Sequence, residues 1–219
     1  MKIIILISLI FILIGCKQEN KNERVVSLEN VNKGLEDNFE NNKTSEKHSI
    51  LSLKDSVMYL KKYYENFLKN KDSISEKQFF YLFPDNFKKF NALYGFINEK
   101  EMPLYSNSEH ITGYYNNRLY VSEVEYCDKI LNVCKGGKWE ADNVSLLQDI
   151  VNEIIHNNKE IFIQKLLKME KIEKKALWFF YFDGPIQEKE KLDSLKIILP
   201  EKEYLIAVEA FNDVTDFYK

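Results

Sequence analysis

From residue 51 onward, apolar residues recur at intervals of three and four, the spacing of helices that pack by one face. Leu53, Val57, Leu60, Tyr64 and Phe67 form the first such stripe, with Ser52 and Asp55 placed to cap it. Ser75 with Gln78 reads as a capping box before the run "FFYLF". Pro84 opens a short helix that turns Phe87, Phe90 and Leu93 inward, and Gly95 closes it. Ser106 with Glu109 marks a further start. Val124, Cys127, Ile130, Leu131 and Cys134 share one face ahead of Gly136-Gly137. Val144, Leu147, Ile150, Val151, Ile154 and Ile155 make the clearest amphipathic helix. Helical patterns then run from Ile161 to Leu167 and from Ile172 to Phe182, and Leu192, Leu195 and Ile198 precede Pro200. The last helix carries Tyr204, Leu205, Val208, Phe211 and Val214.

These elements predict an all-α fold: one domain over 51–219 with about eight to ten short to medium helices joined by short connections, as between antiparallel neighbours. Seven glycines and four prolines are few for a sheet with many tight turns. One stretch is ambiguous. "WFFYFDGP", residues 178–185, also reads as a strand meeting an Asp-Gly turn. Helical spacing after it favours a helix stopped by Pro185.

The N-terminal pattern differs. Residues 3–14 are apolar except Ser8, about twelve residues where a membrane-spanning helix needs about twenty. Lys2 precedes the run and small Gly15 ends it, the layout of a secretory signal peptide over 1–15. Leu13-Ile14-Gly15-Cys16 resembles the lipobox of bacterial lipoproteins. That resemblance implies cleavage before Cys16, a diacylglyceryl group on its thiol and acylation of the new amine. Each buried methylene contributes about 0.8 kcal/mol, so two or three chains on one cysteine give lasting attachment to a membrane. Lys17, where an aspartate would favour the inner membrane, points to the outer membrane of the cell envelope. Periplasmic and surface orientations both stay open.

Residues 16–50 comprise the lipidated cysteine and a segment dominated by charged residues, Asn and Ser, too poor in apolar side chains to offset the entropy of ordering. A flexible tether is expected, its ends roughly 30 Å apart. A short binding segment around "RVVSLENV" is the alternative.

The chain carries a formal charge of −3. The charges are interspersed, with no basic stripe of the kind nucleic acids require. Expected partners are therefore the membrane, through lipid on Cys16, and a protein.

No catalytic motif emerges: no G-x-S-x-G, P-loop, G-x-G-x-x-G, H-E-x-x-H or C-x-x-C. No catalytic residue, metal or cofactor is expected. Of three histidines, His48 falls in the tether, leaving His110 and His156. Glu153 and His156 make a lone Glu-x-x-His pair, where di-iron bundles need two. With Asp149 they fall about 120–180° around the helix from Val144, a solvated face. Cys127 and Cys134 lie seven residues apart. On one continuous helix their Cα atoms are roughly 10 Å apart, beyond the reach of a disulfide. Either both are free, buried thiols or the helix breaks between them, and the first reading is favoured.

Two aromatic stretches remain, "GGKWEADN" and "WFFYFDGP". Trp139 capping the core, Asp142 capping the next helix and a buried second run explain them by packing alone. As loops they make Trp139, Asp142, Trp178 and Asp183 the candidates for partner binding, because tryptophan is enriched at hot spots. The second stretch is similar to a segment of small uncharacterised lipoproteins of Gram-negative bacteria, some of them immunity proteins that guard against toxins delivered by neighbouring cells. The expected function is a membrane-anchored binding module, in one form an immunity protein. A scaffold lipoprotein of an envelope complex is the next reading. An enzyme using carboxylates such as Asp142 or Asp183 is the third.

Overall fold

The structure, a computed structural model, describes residues 52–140, 142–186 and 188–219. The expected signal peptide, the expected lipidation site Cys16, His48 and the expected tether lie outside the described residues. Those described form one all-α domain of ten helices with a single short hairpin.

Helix α1 (Leu53–Asn70) starts at Ser52, whose Oγ accepts from the Asp55 N–H at 3.2 Å, as the sequence suggests. Lys71, in the left-handed region at φ 52°, ends it. Helix α2 (Ser73–Leu82) begins three residues earlier than the Ser75–Gln78 pair implies. Asp72 is the cap and accepts from the Ser75 N–H at 2.7 Å. A carboxylate outcompetes a hydroxyl there because it also complements the positive end of the helix. Asn86 caps α3 (Phe87–Tyr94), with Phe90 and Leu93 inward and Gly95 at its end. A hairpin of β1 (Phe96–Ile97) and β2 (Lys100–Glu101) follows, unforeseen in the sequence. Its turn residues Asn98 and Glu99 both have positive φ, 50° and 61°, as tight hairpins demand.

Helix α4 (Glu109–Asn117) starts after Ser108, not at Ser106, and Ser108 makes no side-chain cap. Helix α5 (Glu123–Cys134) opens on a capping box between Ser122 and Glu125. It buries Cys127, Ile130, Leu131 and Cys134 as free thiols and core residues, whereas Val124 is exposed. Helix α6 (Asp142–Asn157) buries the whole expected stripe and exposes Asp149, Glu153 and His156. Each fully buried aliphatic side chain there contributes roughly 1.5–3 kcal/mol. Helices α7 (Lys159–Lys168), α8 (Lys171–Phe182), α9 (Lys189–Ile198) and α10 (Glu201–Phe217) complete the domain. "WFFYF" is thus helical.

Helices α8 and α10 run parallel. Lys171 pairs with Glu209, Lys175 with Asp213 and Phe179 with Phe217, contacts that advance together along both helices. Helix α9 is the return between them. Aligned dipoles repel, and lysines of α8 facing acids of α10 oppose that. One pair is buried: Lys174 donates to Glu203 at 2.8 Å, each side chain under a tenth exposed. The buried face of α10 is Glu203, Ala207, Ala210 and Val214; Tyr204, Val208 and Phe211 of the expected stripe pack half-buried against the core, and Leu205 is 54% exposed. Alanines bring the two backbones close, and the larger residues fall to the flanks.

Candidate functional site

A cleft of about 220 Å³ lies where the loop before α6 meets the loop after α8. Local chemistry builds it. Trp139 sits two residues beyond Gly137, where a Cβ would stand 2.6 Å from both Phe87 and Phe180, so only glycine lets this loop lie against α3 and α8. The backbone N–H of Trp139 donates to Asp183 Oδ2 at 2.7 Å, and its indole Nε1–H donates to Ser145 Oγ at 3.1 Å. Both polar groups of the residue are held, and its half-buried ring forms one wall.

Asp183 follows the last residue of α8 and is 4% exposed. Its Oδ1 accepts from the Tyr218 hydroxyl at 2.7 Å, just beyond α10. Burial first, and then this hydrogen bond and the Asp183 charge, push the Tyr218 phenol up to about 12. Gln148 of α6 closes the end of α8. Its Nε2 donates to the carbonyls of Phe180 and Asp183, both at 2.6 Å, occupying acceptors that a helix end leaves open. Gln148 is itself 7% exposed and lines the cleft. Its Oε1 has no donor among the described residues.

Asp149, Glu188 and Lys191 stand around the opening, with Tyr181 behind. Lys191 pairs with Glu188 at 3.3 Å. Neither Asp149 nor Asp183 has an ion-pair partner among the described residues. The Tyr181 phenol is raised by burial and then by the charges of Glu188 and Asp149, which registers the negative potential here.

The four residues singled out in the sequence divide. Trp139 and Asp183 come together at the cleft. Asp142 is the exposed first residue of α6 and accepts from the Tyr105 hydroxyl at 3.0 Å, away from the cleft lining. Trp178 is fully buried between Phe162, Tyr181 and Phe182, and as a contact for a partner it is corrected to a core residue. The sequence reading missed Gln148, although it lies about 40° from Val144, just beside the apolar arc of α6. An amide on an apolar face is the signal that could have found it.

Among the described residues, no group of three or more His, Cys, Asp or Glu is placed to hold a metal ion. None of the described helices is long and apolar enough to cross a membrane. No protein-family model, curated protein or solved structure matches the chain.

Proposed function

We propose that this protein is an exported bacterial lipoprotein, held to the outer membrane of the cell envelope by lipid on Cys16, whose helical domain binds a protein partner. The observation that carries the binding reading is the presentation of Trp139. Its ring lines an open cleft while both of its N–H groups are already bonded within the fold. A large aromatic surface that is rigid before contact loses little entropy on docking, the property of hot-spot residues. The lipobox supports the anchor.

An immunity protein against an envelope-directed toxin is the finer form of this proposal. It is favoured by the resemblance of residues 178–185, the segment that supplies Asp183, Gly184 and Pro185 to the cleft.

The test uses the full chain in its own membranes. A clickable fatty acid labels the wild type and leaves Cys16→Ser unlabelled. After detergent extraction a partner co-purifies stoichiometrically, and Trp139→Ala abolishes its capture while the circular dichroism is unchanged. Label retained on Cys16→Ser refutes the anchor. Capture indifferent to Trp139 refutes the binding surface.

A further inference from the structure

The cleft has a definite chemical character. Its polar lining is dominated by acceptors, with the Ser145 hydroxyl the one neutral side chain among the described residues still able to donate. Among the described residues the Gln148 Oε1 has no hydrogen-bond donor, on a residue only 7% exposed, and both hydrogens of that amide are already engaged. The carboxylates of Asp149 and Asp183 have hydrogen-bond donors at most, not cations. Among the described residues of the lining the one cation, Lys191, is matched by Glu188.

Backbone adds to this polarity. The cleft lies at the C-terminal end of α8, and the Tyr218–Asp183 bond brings the C-terminal end of α10 beside it. Because the two helices are parallel, their negative ends point the same way, and cations are favoured at helix C-termini. The indole of Trp139 offers a π-face, the best aromatic surface for a cation.

Size limits the occupant. Pockets for drug-sized ligands and cofactors run to about 300–1,000 Å³. At about 220 Å³ this one suits a single side chain.

We propose that the cleft receives one cationic side chain, lysine or arginine, from the protein partner. The alkyl stem lies along Trp139, and the charged head reaches Gln148 Oε1 and the carboxylates. This inference rests on the partner-binding reading above and names the chemistry of its anchor residue.

The test needs no identified partner. The full chain in detergent, labelled with 5-fluorotryptophan, gives one fluorine resonance for each of Trp139 and Trp178, assigned through Trp139→Phe. The probes are the N-acetyl methylamides of lysine and arginine. The neutral norleucine derivative, with an equivalent stem, is the control. The Trp139 resonance is expected to shift saturably with the two cations, while norleucine has no effect and Trp178 stays still. The double variant Asp149→Asn/Glu188→Gln is expected to weaken the cations by about three- to tenfold, as loss of two part-exposed charges implies. Added salt weakens them as well.

Norleucine shifting Trp139 as strongly as lysine overturns the proposal. So does the lack of any saturable shift in a preparation that still captures a partner through Trp139. Charge-selective binding without a captured partner supports the cleft chemistry and overturns the partner-binding reading instead.

Discussion

Both carboxylate oxygens of Glu76 accept the backbone N–H of Tyr120, at 3.0 and 2.9 Å. The same oxygens take the N–H groups of Leu119 and Val121, each at 2.8 Å. Glu76 is 1% exposed, in the first turn of α2. One buried carboxylate thus orders the whole loop between α4 and α5, leaving Leu119 and Tyr120 facing outward. Removing it strands three buried or half-buried donors, each costing about 1–3 kcal/mol. Glu76→Ala is expected to lower stability by about 3 kcal/mol or more, with Glu76→Gln intermediate. Urea midpoints and the rate of protease nicking near residue 119 measure this. An unchanged midpoint would remove Glu76 from any structural role.

Lys174 and Glu203 form the buried ion pair between α8 and α10. Glu203→Leu leaves the lysine charge buried alone, a loss of about 3–5 kcal/mol. The double variant Lys174→Met/Glu203→Leu is expected to recover most of this, because neutral side chains of similar size avoid desolvation altogether. A double variant as unstable as the single would show that the pair itself, and not the stranded charge, matters.

Cys127 and Cys134 are buried and free. Burial pushes the Cys127 thiol up to about 12 and that of Cys134 well above its ordinary value. Thiolate, the reactive form, is scarce in both. In the Cys16→Ser chain a thiol reagent should find no reactive group in the native protein and two after denaturation. Fast labelling of the native protein would place at least one thiol at the surface.

His110 sits among Tyr64, Phe79 and Tyr94, with Nδ1 3.0 Å from the Tyr94 hydroxyl. Burial lowers it to about 4 from an ordinary 6.5. Between those values the unfolded chain binds the proton and the folded one does not, so stability rises with pH across that window. It should fall by at most about 1.4 kcal/mol per unit as pH drops from 6.5 towards 4. His110→Gln removes this contribution. Comparing the urea midpoints of both proteins at pH 7 and pH 5 checks the sign, and an equal pH response in the two would reject the assignment.

Periodicity carried most of the helices because large apolar residues mark a buried face unambiguously, as Val144 through Ile155 do. On α10 it found Tyr204, Val208, Phe211 and Val214 but wrongly included Leu205 and passed over Ala207 and Ala210, which are fully buried. Alanine has little hydropathy, yet its small size is what allows close helix contact. The parallel pairing of α8 and α10 was illegible for a related reason: short connections suggest antiparallel neighbours, and only the long-range ion pairs reveal the offset. Glu76, Lys174 and Glu203 carry no signal in the sequence, since a buried charge is identifiable only by its partner. The hairpin was hidden because Glu99 is an unusual residue for a positive φ. At the cleft, Trp139 and Asp183 were visible as residue types. Their hydrogen bond spans 44 positions, and no local spacing encodes it.

The hydrogen bond from Tyr218 also ties the cleft to the C-terminal end of α10. A chain threaded outward from its N-terminus presents Trp139 first and Asp183 next, but the second donor to Asp183 arrives only with Tyr218. Until α10 docks, a carboxylate waits half-satisfied at the bottom of an unfinished hollow. The cleft is therefore complete only when α10 is docked, so its geometry depends on the last helix of the domain.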